Sequence, residues 1–436
     1  MKKLVSLLLA LALVLSVSSA LAYSKEEPIT IDFWHTRGSG ANGDSVTRAI
    51  DTFNSTIGAE KGIVIVGTYQ GAYADNVNKI CLAMQSGDQP VVAVTSSAHT
   101  AILLDEGIAA DMKPFMDETG FDINVLLDCF IDVPAIHDGR VEAVPYIRST
   151  PVFYYNKTMA DAKGLKAPET FEDLEAFAKA LTVVDEKTGE TLCYGLELLS
   201  DASFQEGGFM WSNGTPWLSD DASYSPALTE GGLLKLMEFW YRGVQEGWCR
   251  TFDSTSASSA CQQRFYQGQI ASFNASCGSL GNISKKTAEA GYELGVCYLP
   301  SMAGCKDIGI GGGNLILCEG STEEELRAGW EFVQFLISKE QVALESQSTG
   351  YLPSLKDMTG SSMIEYWENN PLSKVAYEQL SWGHGNETPY FPERQEYMAN
   401  VTEAISVLIQ EGAMTPQAAF DQVVANTAHL WTSDGK

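Results

Sequence analysis

The chain has 436 residues, 45% of them hydrophobic, and carries 56 Asp and Glu against 28 Lys and Arg, a formal net charge of −28. At about 100–200 residues per domain, this length holds two or three domains, each with an ample core. So acidic a chain repels nucleic acid and anionic lipid, which argues against both as partners, although a local field can still oppose the global one.

In chain order, Met1-Lys2-Lys3 leads into a mostly apolar run from Leu4 to Val17 and then Ser18-Ser19-Ala20-Leu21-Ala22. A basic start, an apolar middle and an Ala-x-Ala site read as a secretory signal peptide over 1–22. The apolar run is shorter than the ~20 residues a membrane span needs, and no later stretch is long enough. Tyr23, not Cys, follows the cleavage site, so no lipid anchor is expected. The mature protein is expected free in a periplasm or outside the cell.

Residues 28–34 alternate as a strand, with Ile29, Ile31 and Phe33 toward the core and Thr30, Asp32 and Trp34 on the other face. After His35-Thr36-Arg37 and a glycine-rich loop, Val46, Ile50 and Phe53 give one helical stripe, and Gly62 to Thr68 reads as a second strand. Such a β–loop–α–β unit seeds a parallel sheet. Gly38, Gly40 and Gly43 satisfy Gly-x-Gly-x-x-Gly, but Trp34 to Arg37 separate strand and glycines, which disfavours a dinucleotide site. Glycines before a helix still let a ligand approach backbone N–H groups. Tyr69 to Tyr73 follow the second strand, and a third, Pro90 to Thr95, ends in Ser96-Ser97-Ala98-His99. The strand ends should thus share one edge of the sheet, where ligands of open α/β sheets bind. His99 has no partner for metal or nucleophile chemistry and reads as a hydrogen-bonded structural histidine.

Val141 to Tyr146 reads as a strand running into Arg148-Ser149-Thr150-Pro151 and then the aromatic strand Val152 to Tyr155. We read this stretch as a crossing between two lobes, with Arg148 and Ser149 facing a cleft; the same residues also suit an ordinary core strand with a polar lead-in. Phe171, Leu174, Phe177 and Leu181 mark a helix begun by Glu169-Thr170. Residues 199–225 read as loop; there Trp211 suits either packing or stacking on a ligand, and Trp217 suits packing. Leu233, Met237, Trp240 and Val244 lie on one side of a strong amphipathic helix. Ala271 to Ala275 is a short strand leading through Ser276-Cys277-Gly278-Ser279 into a helix. Gly309 to Asn314 reads as a glycine loop before the strand Leu315 to Leu317. The remainder is mainly helical: Glu323 to Ile337, Lys339 to Glu345, Ala376 to Leu380 and Tyr397 to Gln410. It is interrupted by the turn Thr349 to Pro353 and by Gly383-His384-Gly385 and Pro389 to Pro392, a rigid aromatic loop.

The nine cysteines contain no Cys-x-x-Cys pair and suit neither a zinc site nor a disulfide scaffold. Most should be small buried side chains, and export permits one or two disulfides. P-loop, His-Glu-x-x-His and Gly-x-Ser-x-Gly motifs are absent, so neither cofactor nor metal is expected. What the chain offers is a cleft of hydroxyl, aromatic and glycine loops, suited to a polar solute held by hydrogen bonds with rings against its apolar face.

Six segments carry a family resemblance: Phe33-Trp34-His35, Tyr69 to Tyr73, Ser149 to Lys157, Gly278 to Ile283, Gly311-Gly312 and Thr349 to Pro353. In order and spacing the chain resembles the extracellular solute-binding proteins of ABC importers, in the group that includes maltose- and glycerol-3-phosphate-binding proteins, with the closer likeness to the latter. The resemblance implies an α/β, two-lobed periplasmic-binding-protein fold of type II, each lobe a mixed sheet flanked by helices and joined by hinge strands. The expected division is 23–148 with 284–340 in lobe 1, and 149–283 with 341–436 in lobe 2. It implies a monomer that captures a saccharide or glycerol phosphate compound and passes it to permease subunits in the membrane, without catalysis. By that likeness Tyr73, Ser149, Ser276 or Ser279, Gly311 or Gly312, and Tyr351 line the site, joined by Trp34, His35 and Trp211. Two departures matter. Ser96-Ser97 stands where the glycerol-3-phosphate binder carries a carboxylate, and Tyr390-Phe391, with Arg394 beyond, where it carries a phosphate-holding arginine. Arg37 or Arg148 are the candidates for the missing charge. A secreted glycoside hydrolase and a surface interaction protein are the alternative readings.

Overall fold

A computed structural model describes residues 23–431 apart from 132–134, 138, 199–204, 251–256, 303–304, 306, 383–384, 387–390, 392 and 410–411. The expected signal peptide, His384 and Tyr390 lie outside the described residues.

The first lobe is built on a five-stranded sheet. Its early elements are β1 (Ile29–His35), α1 (Gly40–Phe53), β2 (Ile63–Tyr69), α2 (Tyr73–Ser86), β3 (Val92–Ser96) and α3 (Ser97–Asp105). β1 pairs in parallel with β2 and with β3, as the alternation of the sequence implies. Ile31 and Phe33 point inward and, with Val46 and Phe53 from α1, form the core of one face, while Val77, Ile80 and Trp34 pack on the other. The sheet continues with β4 (Val144–Ser149), after which β5 (Pro151–Asn156) opens the second lobe. β5 lies between β6 (Ser272–Ser276) and, beyond α4 (Leu280–Ala290), β7 (Leu294–Cys297), all antiparallel. The chain returns as β8 (Gly311–Leu317), which inserts antiparallel between β3 and β4 to give the order β2-β1-β3-β8-β4. Then α5 (Glu323–Leu336), started by a Thr322–Glu325 capping box, lays Trp330, Phe332 and Val333 on the first core, and α6 (Lys339–Thr349) follows.

The second lobe packs its small sheet against helices Phe171–Leu181, Gly232–Gln245 and Arg394–Ile409, with Phe153, Phe177, Trp240 and Val401 in one core. Thr170 and Asp173 cap the first of these reciprocally. No described helix is long and apolar enough to cross a membrane.

The crossing read into Arg148–Lys157 is present: β4 belongs to one sheet, β5 to the other, and only Thr150 lies between. A second crossing runs back through Ile310 into β8, and a third lies between Trp367, in the first core, and Ala376, in the second. They meet at Thr150. Its hydroxyl donates to Gly309 O (3.1 Å), and Gln379 Nε2 donates to Pro151 O (2.9 Å) and to Thr150 Oγ1 (3.3 Å).

Four expectations differ from the structure. The expected lobe division fails on both late segments: Leu294, Val296, Leu299 and Ile308 pack in the second core, and Val342, Ala343, Leu355, Met358 and Met363 in the first. The reason is pairing at a distance, since β7 binds β5, more than 130 residues earlier. Within 199–225, Gln205–Ser212 is helical; Gly207 and Gly208 weaken the local helix signal, and burial of Phe209 and Met210 overrides it. The run from Val141 is two strands, because Arg140–Val141 pairs with Ile136–His137 before β4 begins. The glycines expected as a loop lie in β8, where Gly311 pairs with Ser149 and Gly312 with Arg148.

Candidate functional site

Arg37 sits two residues past β1 and is 3% exposed. Its Nη2 lies 2.6 Å from Glu345 Oε1 on α6 and donates to Asn42 Oδ1 at 3.3 Å. Glu345 is itself buried and accepts from Ser45 Oγ (2.6 Å) and Thr349 Oγ1 (3.3 Å), the extra bonds a buried ion pair requires. Burial works against the guanidinium charge, but Glu345 outweighs it, so the Arg37 pKa is raised and the group stays cationic. The guanidinium carbon lies 5.2 Å from the ring centroid of Tyr351, within cation–π range.

Three tyrosines gather around this pair. Burial raises the pKa of Tyr73, Tyr146 and Tyr351, so all three hydroxyls remain protonated donors. Tyr73 opens α2, and its hydroxyl stands so close to Gly313 that a Cβ there would come within 3.0 Å. Tyr351 lies on Gly278 of the second lobe, where a Cβ would come within 2.6 Å of the ring. Tyr351 and Tyr73 interact electrostatically with each other and with Arg37, and Arg148 also bears on Tyr73. The cluster therefore lies where β1, β4 and β8 of the first lobe meet the 276–279 turn of the second.

The predicted residues divide accordingly. Arg37, Tyr73, Tyr351 and the Ser149–Gly311 and Arg148–Gly312 pairs lie together at or beside the crossing. Ser149 is buried, and Arg148, fully buried, rests its guanidinium 5.2 Å from the Phe130 ring centroid. Ser276 accepts from Gly278 N (3.1 Å), and Ser279 precedes α4 without capping it. His35 lies beneath Arg37, accepting the Arg37 N–H on Nδ1 (3.3 Å); burial and then the Arg37 charge push its pKa down to about 4. Three others lie elsewhere. Trp34 packs against the Val77–Ile80 cluster, Trp211 is only 9% exposed in the helix Gln205–Ser212, and Phe391 stacks on Trp431 with ring centroids 5.5 Å apart. Ser97 opens α3, and its side chain is outside the described residues. His99, read as structural, has Nδ1 2.6 Å from Ser96 Oγ. Trp217 is packed in the second core, as expected.

Sequence reasoning missed Glu345 and Tyr146. The signal for Glu345 is a buried polar stripe on α6, where Gln341, Glu345 and Thr349 follow at i, i+4 and i+8. Tyr146 sits in a strand whose residues are all buried, so no alternation marks it.

Among the described residues no group of three His, Cys, Asp or Glu is placed to hold a metal. Cys81, Cys193, Cys249, Cys261, Cys277, Cys297 and Cys318 are free thiols, and burial raises the pKa of the last five, which keeps them unreactive. The site thus presents phenol and guanidinium donors, a buried hydroxyl and glycine backbone.

Comparison with known proteins agrees with this fold. The sn-glycerol-3-phosphate-binding periplasmic protein UgpB of Escherichia coli K12 is 27% identical over 94% of each chain, and UgpB of Shigella flexneri 5b matches to the same extent. The crystal structure of Mycobacterium tuberculosis UgpB with glycerophosphocholine superposes with a TM-score of 0.77 at 22% identity, covering 92% of this chain and 98% of that one. The acarbose-binding GacH receptor of Streptomyces glaucescens gives 0.76 at 19% identity, covering 93% and 99%. Residues 48–372 match the family model for bacterial extracellular solute-binding proteins. That span is well over half the chain, which therefore belongs to the bacterial extracellular solute-binding protein family.

Proposed function

We propose that this protein is the exported binding component of an ABC importer. It captures a glycerol-phosphate-type compound or a sugar between its lobes and hands it to membrane permease subunits as a monomer, without chemistry. The observation that carries this is the placement of the Arg37–Tyr73–Tyr351 cluster against Gly278 of the other lobe, beside a crossing one residue long. Hinge closure would bury a solute there and mark the loaded form for the permease. The segment 1–22 would direct export. Lobe 1 would comprise about 23–149 with 311–367, and lobe 2 the segments 151–309 and 376–431, as the two cores divide them apart from Phe130 and Leu352, which pack in the second core.

Calorimetric titration of the mature protein with glycerol 3-phosphate, glycerophosphocholine, maltose and maltotriose tests the proposal. Saturable 1:1 binding of at least one is expected. Silence across the set would sink it.

A further inference from the structure

A buried polar layer lies between α1 and α6 and runs into the Arg37 cluster. Arg48 Nη2, on α1, donates to Ser45 Oγ at 2.8 Å and to Leu344 O on α6 at 3.4 Å. Ser45 is 1% exposed and donates its own proton to Glu345 Oε2 at 2.6 Å. Glu345 Oε1 in turn holds Arg37 Nη2 at 2.6 Å. Thr349 Oγ1 reaches the same carboxylate at 3.3 Å and accepts the Tyr351 N–H at 3.1 Å. One string of bonds therefore joins half-buried Arg48 to both Arg37 and Tyr351.

Two features argue that this string sets geometry. Asp44 and Asp51 stand four residues before Arg48 and three after it on the same helix, where a surface arginine ordinarily finds a partner. Nη2 turns inward instead, to a hydroxyl and a carbonyl. In addition, a buried ion pair with its hydroxyl partners is no more stabilising than apolar side chains of the same volume. What the polar version adds is direction. With Arg48 bound to its oxygen, the Ser45 hydroxyl has one proton to place, and it places it on Glu345. Both carboxylate oxygens are then committed, which fixes Nη2 and with it the guanidinium carbon 5.2 Å from the Tyr351 ring centroid. An arginine ordered in advance does not have to be ordered on binding, and affinity gains by that difference.

We infer that Ser45 and Arg48 are positioning residues for solute capture: acting through Glu345, they hold Arg37 and Tyr351 in the binding arrangement before the solute arrives. This inference rests on the solute-capture reading above and adds to it two residues outside the cluster.

The test is calorimetry of the mature protein with glycerol 3-phosphate, glycerophosphocholine, maltose and maltotriose. It is repeated for Ser45→Ala, Arg48→Met and the double variant, at a temperature where circular dichroism shows each fully folded. For a probe that the wild type binds, Ser45→Ala should lower affinity about five-fold or more, and Arg48→Met about two- to five-fold. The double variant should lose no more than Ser45→Ala alone, because Arg48 acts through Ser45. A merely structural role would lower the denaturation midpoint and leave the affinity of the folded protein unchanged. Should Ser45→Ala fail to fold, Arg48→Met decides alone, since methionine keeps the apolar stem and removes only the donors. Wild-type affinity in either folded single variant, or losses that multiply in the double one, overturns the inference and leaves solute capture standing. No binding of any probe by the wild type overturns both.

Discussion

His35 shows how a site-adjacent side chain acts without touching a ligand. It lies between Phe33 and Tyr69, with ring centroids 5.6 and 6.2 Å away, and its Nδ1 fixes the backbone of Arg37. That bond needs an unprotonated Nδ1, and burial with the Arg37 charge depresses the pKa to about 4. The unfolded chain, with an ordinary histidine pKa, takes up the proton first, so this contribution is complete above about pH 6.5 and is lost as pH falls toward about 4. Urea midpoints measured between these values should fall with acid by an amount equivalent to about 3 kcal/mol from this group. His35→Gln should remove that part of the slope. The role of His35 was only half legible: the family-like segment Phe33-Trp34-His35 flagged it, but the histidine supports the backbone of Arg37. Arg37 was named as a candidate for the charge missing from the family pattern, whereas its partner Glu345 is more than 300 residues away and only the buried polar stripe of α6 hints at it.

Among elements, β8 departs most from its sequence pattern. A run of glycines has poor strand propensity, and Gly309 to Asn314 reads locally as loop. The strand forms because β3 and β4 offer backbone on both sides, and because a side chain would not fit. Gly312 has φ +106°, and a Cβ there would stand 2.0 Å from Ile147 O. Gly312→Ala should therefore destabilise the fold by about 2 kcal/mol or more, read from the denaturant midpoint, and an unchanged midpoint would mean the strand is misplaced. Elements with a strong period, such as the helices Phe171–Leu181 and Gly232–Gln245, were legible because their buried faces follow the helical repeat. Elements formed by distant partners were not.

On the scale of the molecule, the two lobes touch through α4. Ala41 N, at the start of α1, donates to Asn282 Oδ1 (3.0 Å), and Gly281 lies so near α6 that a Cβ would come within 2.4 Å of Ser348 O. This seam borders the Arg37 cluster and should favour the closed arrangement. Asn282→Ala removes one hydrogen bond, worth about 0.5–1.5 kcal/mol, so solute affinity should fall two- to ten-fold. X-ray scattering of the unliganded variant should show a larger radius of gyration than the wild type. No change in either quantity would show that the contact is indifferent to lobe position. That two lobes exist was legible from one stretch, Arg148 to Lys157, where a polar turn meets an aromatic strand. Which late segments belong to which lobe was not, because the chain changes sides three times and each visit is short.

The convergence of all three crossings on Thr150 bears on timing. A swivel confined to one spot turns without any strand leaving its ladder, so opening demands no partial unfolding and its barrier stays low. Dwell time is then governed by how firmly the guest is gripped. A tightly held nutrient would leave slowly by itself, and the permease would have to prise the halves apart to collect it.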